Sequence, residues 1–99
     1  MKHTVPHDLE QERAKEMVDK LIETYGEHYK DYDLSANWKD DQTAEVAMCV
    51  QGKDVKGTIK IAPDCFDLDF DMPWIFRPFG GKIRRTVDDE VERWIANYR

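Results

Sequence analysis

Three carboxylates at alternate positions, Asp67, Asp69 and Asp71, pose the first chemical question of this chain. Hard cations such as Ca²⁺ and Mg²⁺ take several carboxylate oxygens, so a metal site is one reading of the trio. Alternate residues of a strand stand roughly 6–7 Å apart, however, and calcium sites are usually built on a curled loop. A solvated acidic sheet face with lysines opposite is the stronger expectation, and no metal is expected. His3, His7 and His28 lie near predicted helix ends and share no ligand spacing with Cys49 and Cys65. Zinc centres need four ligands, typically in paired short spacings, and a catalytic Cys–His pair needs both groups within hydrogen-bond reach. Surface histidines and unreactive thiols follow. No nucleophile, base and orienting group converge along the sequence, so neither an enzyme nor a cofactor is expected.

Binding chemistry has a better candidate. Between Pro73 and Phe79 the chain sets Trp74, Ile75 and Phe76 side by side, followed by Arg77, Pro78 and Phe79. In one reading these large apolar groups plug the gap between the sheet edge and the last helix. In the other, part of the crossover stays exposed as a docking patch of Trp74, Ile75, Phe76, Arg77 and Phe79, with Arg77 as its polar rim. Exposed apolar clusters on a soluble chain mark interaction surfaces.

The elements that must position these groups are written in the hydrophobic pattern. Phe66, Leu68, Phe70 and Met72 alternate with the three aspartates, and side chains switch face at every strand residue. Leu34, Ala36 and Trp38 predict one more strand, Ala44 to Val50 another, and Val55 to Ile61 a third. Lys2 to Val5 is either a short edge strand or a tail, ended by Pro6. Ala14, Met17, Val18, Leu21, Ile22 and Tyr25 draw a helical stripe, as do Ile83, Val87, Val91, Trp94, Ile95 and Tyr98. Asp88, Asp89, Glu90, Glu92 and Arg93 are expected on the outside of that second helix. Asp8 and Gln11 have the spacing of a capping box for the first helix. Gly26 either ends that helix or is crossed at a cost of about 1 kcal/mol, and Gly80-Gly81 reads as a flexible joint.

Short turns predict the register. Across Pro63-Asp64, Lys60 should face Asp67, Thr58 face Asp69 and Lys56 face Asp71. Across a two-residue Gly52-Lys53 turn, Glu45 should face Lys60. Opposite charges facing across strands contribute about 0.2–1 kcal/mol each. The economical architecture is α+β: a four-stranded antiparallel meander with two amphipathic helices packed on one face, plus the optional N-terminal strand.

Size and composition agree with one domain spanning residues 1–99. Hydrophobic residues make up 40% and charged residues 36%, with a formal net charge of −6. No Lys/Arg run is long enough to follow a phosphate backbone, so nucleic acid is not an expected partner. No apolar run is long enough to span a membrane, and no hydrophobic signal segment is evident, so a cytoplasmic location with reduced cysteines is expected.

The chain also resembles the polyhydroxyalkanoic acid system family, small bacterial proteins encoded near genes for polyhydroxyalkanoate granules. The resemblance rests on His3-Thr4-Val5-Pro6-His7-Asp8-Leu9, Asp33-Leu34-Ser35-Ala36-Asn37-Trp38, and the run from Val50 to Gly57. It continues through Asp67-Leu68-Asp69-Phe70 and Met72-Pro73-Trp74-Ile75-Phe76-Arg77-Pro78-Phe79. Gly80-Gly81 stands where members often carry lysines, which weakens the case for a basic granule-facing edge. The resemblance implies a granule-associated or accessory role and carries no catalytic residues with it.

The leading expectation is therefore a non-enzymatic binding protein that docks on polyhydroxyalkanoate granules, or on a granule-coating protein, through residues 73–79. The alternative is a small carrier holding an acyl or hydroxyacyl ligand in a cleft between helices and sheet. A cavity of several hundred Å³ favours the carrier, and a tightly filled core favours docking. A homodimer through an open sheet edge or the outer face near Ala47 and Cys49 is a third expectation.

Overall fold

Alternating residues pair into one antiparallel sheet, and the two helical stripes close over its apolar side. The computed structural model describes residues 1–50, 52–71 and 74–99, with the side chains of Trp74 and Ile75 outside the description. The elements run β1 (Lys2–Pro6), α1 (Gln11–His28), β2 (Ser35–Trp38), β3 (Thr43–Val50), β4 (Lys53–Ile61), β5 (Cys65–Asp71) and α2 (Gly80–Tyr98). Short 3-10 turns cover Lys30–Tyr32 and Trp74–Phe79. The sheet has five strands in the order β1-β5-β4-β3-β2. The N-terminal segment is thus a strand, paired with β5 so that Val5 faces Phe66. Val5 is fully buried, and a tail would forfeit that burial.

The predicted β4–β5 register holds: Lys60 faces Asp67, Thr58 faces Asp69 and Lys56 faces Asp71. The β3–β4 register differs by two residues. Val50 faces Lys53, so Lys53 belongs to the strand and Gly52 takes the second loop position, with φ 76°. Glycine has no Cβ to oppose that left-handed backbone. Glu45 consequently faces Thr58, and Lys60 faces Thr43. A slip of two keeps every side chain on its predicted face, because the strand period is two. Glu45 finds its cation next door, with Lys39 Nζ 3.5 Å away.

The first helix begins later than the capping pattern suggests. Glu10 is its N-cap and makes no side-chain cap bond. Asp8 instead accepts from Arg99 Nε at 3.0 Å, and Gln11 Nε2 donates to the Asp41 carbonyl at 3.1 Å. The cause lies just upstream. Leu9 is buried in the core, and its N–H donates to His7 Nδ1 at 3.0 Å. The entry to α1 is therefore fixed by packing before a cap can form. The helix then crosses Gly26 and ends at His28. Gly80 and Gly81 are not a loose joint: they open α2, directly after the 3-10 turn that ends at Phe79.

Ala14, Met17 and Val18 from α1 and Ile95 from α2 meet Val5, Leu9, Ile61, Phe66 and Leu68 in one core. Both helices thus cover the same sheet face. Next to this core Gly57 faces Phe70 across β4–β5. A Cβ at Gly57 would stand 2.8 Å from the Asp69 carbonyl oxygen and 2.9 Å from Phe70 Cε1, closer than real Cβ atoms approach. The ring occupies the space a side chain would need.

Candidate functional site: an apolar cleft between helices and sheet

The core does not fill the whole space between the layers. Beside it lies a cleft of about 440 Å³. Its floor is the apolar sheet face, Val46, Met48, Ile59, Leu68 and Phe70, and its walls are Leu21 and Ile22 of α1 and Val87 and Val91 of α2. Tyr29, Tyr32 and Leu34, from the turn after α1, also line it, and Tyr25, Thr86 and Glu90 bring further polar atoms to the lining. The geometry follows from the pattern: helical stripes wider than the ridge they bury leave apolar side chains facing each other across a gap. Small-molecule sites are concave and mostly apolar, with a few polar groups, and this gap has that character.

Two polar residues of the cleft, Tyr25 and Glu90, are joined directly. Tyr25 Oη donates to Glu90 Oε2 at 2.5 Å, and Trp94 Nε1 donates to Tyr25 Oη at 3.2 Å. Arg93 Nη1 donates to the other Glu90 oxygen at 3.2 Å. Burial pushes the Tyr25 hydroxyl above the ordinary tyrosine range, and its bond to Glu90 adds to the effect. Aromatic rings continue outward from this group. Tyr25 meets Trp94 edge-on at 6.2 Å and Tyr29 at 6.0 Å, and Tyr29 stacks on Tyr32 at 5.8 Å. Tyr29 and Tyr32 are exposed, so the ladder leads from the interior to solvent.

Glu90 is a correction to the sequence reading, which set it on the outer side of α2. The signal was present: Val87, Glu90, Val91 and Trp94 follow the three-and-four spacing of a single helix face. Asp88 also turns inward, to bond the His3 ring at 2.7 Å and tie α2 to β1. His7 is a second correction. It is buried rather than at the surface, stacked on Phe66 with ring centroids 4.4 Å apart. Its Nε2 donates to the Ala62 carbonyl at 2.8 Å while Nδ1 accepts from Leu9 N–H. Both ring nitrogens are committed to backbone, which is a structural role.

The other candidates stay apart from the cleft. Asp67, Asp69 and Asp71 project from the outer sheet face, where Thr4 Oγ1 donates to Asp67 at 3.1 Å. Lysines face them in register, but among the described residues none of these pairs closes to an ion pair within 4.0 Å. Cys49 lies on that face, and Cys65 opens β5 opposite Pro6 instead of occupying the turn. Burial pushes the Cys65 thiol up, with Asp67 and Asp64 adding to it, which works against a thiolate nucleophile.

Of the crossover, Trp74 and Ile75 fall outside the described side chains, Phe76 is half-buried, and Arg77 is exposed. Phe79 is 56% exposed. No helix among the described residues is long and apolar enough to cross a membrane.

These observations define a class: a small α+β domain in which two helices cover one face of an antiparallel sheet and leave an apolar hollow beneath them. Within that class the family is shown directly. A family model described as "putative polyhydroxyalkanoic acid system protein" matches residues 2–95, and the chain belongs to this family. Comparison with curated proteins found no match, and comparison with solved structures found none either.

Proposed function

We propose that this chain is a non-enzymatic binding protein of the polyhydroxyalkanoate system that holds an acyl or hydroxyacyl chain in the cleft between its helices and its sheet. One observation carries this reading. The hollow of about 440 Å³ is lined almost wholly by apolar side chains and lies within the roughly 300–1,000 Å³ range of small-molecule sites. A non-enzymatic role is supported by the histidine held by backbone at both nitrogens and by the raised Cys65 thiol. Native mass spectrometry of protein purified from its own host tests it. A mass increment of one acyl chain that disappears on denaturation is expected, and a bare polypeptide under gentle ionisation counts against carriage.

A second reading rests on Phe79, which stands exposed beside exposed Arg77 and Pro78. Here the crossover grips a granule surface or a granule-coating protein, as the sequence led us to expect first. Co-sedimentation with granules should fall for Phe79→Ser, Trp74→Ala and Phe76→Ala if this holds. Folded variants that sediment like wild type would remove it.

A further inference from the structure

Building on the cleft as a ligand site, we infer that it selects chains bearing a neutral hydroxyl head and discriminates against free carboxylates. The inference comes from counting donors, acceptors and charge along the lining. Tyr25 has one O–H, and it is spent on Glu90; Trp94 has one N–H, and it is spent on Tyr25. Thr86 Oγ1 donates back to the Lys82 carbonyl at 3.0 Å. Tyr29 and Tyr32, the remaining hydroxyl-bearing residues of the lining, are exposed to water. Among the described residues, what the lining beside Tyr25 still offers is acceptor capacity: the free lone pairs of the Glu90 carboxylate and of Tyr25 Oη. A guest must bring a hydrogen to donate, which a hydroxyl does and a carboxylate does not.

Charge points the same way. Glu90 is the one charged residue lining the cleft among the described residues. The residues outside the description, Gln51, Met72 and Pro73, and the side chains of Trp74 and Ile75, are all of uncharged type. The nearest cation, Arg93, approaches Glu90 from outside the lining and is 70% exposed. The Glu90 side chain is itself 38% exposed, so a carboxylate head brought beside it would meet like charge at the wetted edge of the cleft, where repulsion is screened in part but not removed. A hydroxyl would meet an open acceptor.

The test uses the intact chain, stripped of lipid, and two ligands differing only in the head: 1-octanol and octanoate. At about pH 8 a carboxyl of ordinary pKa is fully ionised. Displacement of a hydrophobic fluorophore is followed for each ligand. Octanol should displace at a concentration about tenfold or more below that of octanoate, and Glu90→Gln should narrow the gap by admitting the carboxylate. If neither ligand displaces the probe, the cleft is no ligand site and both readings fall together. If both displace equally, the cleft stands and the head-group selection falls. Tighter binding of octanoate, lost in Arg93→Gln, would overturn the selection and assign the head to the rim cation. The wild-type comparison alone decides, whether or not a variant folds.

Discussion

The two faces of this sheet carry hollows of unequal size and different polarity. Under the helices lies the cleft of about 440 Å³, floored by Val46, Met48, Ile59 and Phe70. On the outer face lies a larger trough of about 790 Å³, where Met1, Ala36 and Ala47 are joined by the charged Glu45, Lys56, Asp69 and Asp71. Size alone would favour the trough. It is open to water along its length, however, and its charged groups gain little by exchanging solvent for a guest. The smaller hollow removes apolar surface from water when filled, and its few polar atoms are already organised. The comparison teaches that a binding site is recognised by what its lining loses when empty.

Substitutions on the two faces should therefore differ in kind, and the largest contrast is in stability. Phe66 is 1% exposed, and Phe66→Ala should cost about 3–5 kcal/mol in chemical denaturation. Next comes His7→Ala, which strands the Leu9 N–H and the Ala62 carbonyl in the interior; a loss of about 1–3 kcal/mol is expected in the same measurement. On the outer face, the coupling between Lys56 and Asp71 in a double-mutant cycle should stay below about 1 kcal/mol. A coupling as large as the His7 effect would erase the distinction.

A gentler probe fills the cleft from its wall, at a half-buried residue that packs against the core without belonging to it. Val91→Trp should abolish uptake of octanol while the melting temperature moves little, because the added ring enters space that is already empty. Loss of folding would show instead that the hollow is narrower than its outline.

Proton linkage gives the smallest signal. The Tyr25 hydroxyl is raised in the folded chain, so the stability it contributes is fully present below the unfolded tyrosine value of about 10. That stability is lost as pH rises through the raised folded value. Melting temperatures measured upward from about pH 9 should fall more steeply for wild type than for Tyr25→Phe. Parallel curves would mean that the Tyr25 hydroxyl is neither buried nor held by Glu90 in solution.

How much of this was legible in the sequence depends on the distance over which each feature is decided. Alternation around Asp67, Asp69 and Asp71 and the helical stripes are local, and they led to the right faces, the right layers and the β4–β5 register. The β3–β4 hairpin was misplaced by two residues because Gly52 suits either loop position on pattern alone. The cap at Asp8 failed because Leu9 and His7 answer to the core, which no window of eight residues contains. Glu90 was placed outside α2 because its charge was weighed above its spacing. Its partner Tyr25 is 65 residues away in the chain, and only the fold brings them together. The cleft itself was an expectation from architecture; its volume depends on how closely the layers approach, which no periodicity encodes.

The contact between Gly57 and Phe70 has a consequence for the hollow. Phe70 forms part of its floor, and the ring lies where it does because the neighbouring strand offers bare backbone at that point. An alanine at position 57 would act as a wedge, tipping the aromatic plate upward into the room a guest would occupy. Room for a guest would then depend on a methyl group that the chain leaves out at position 57.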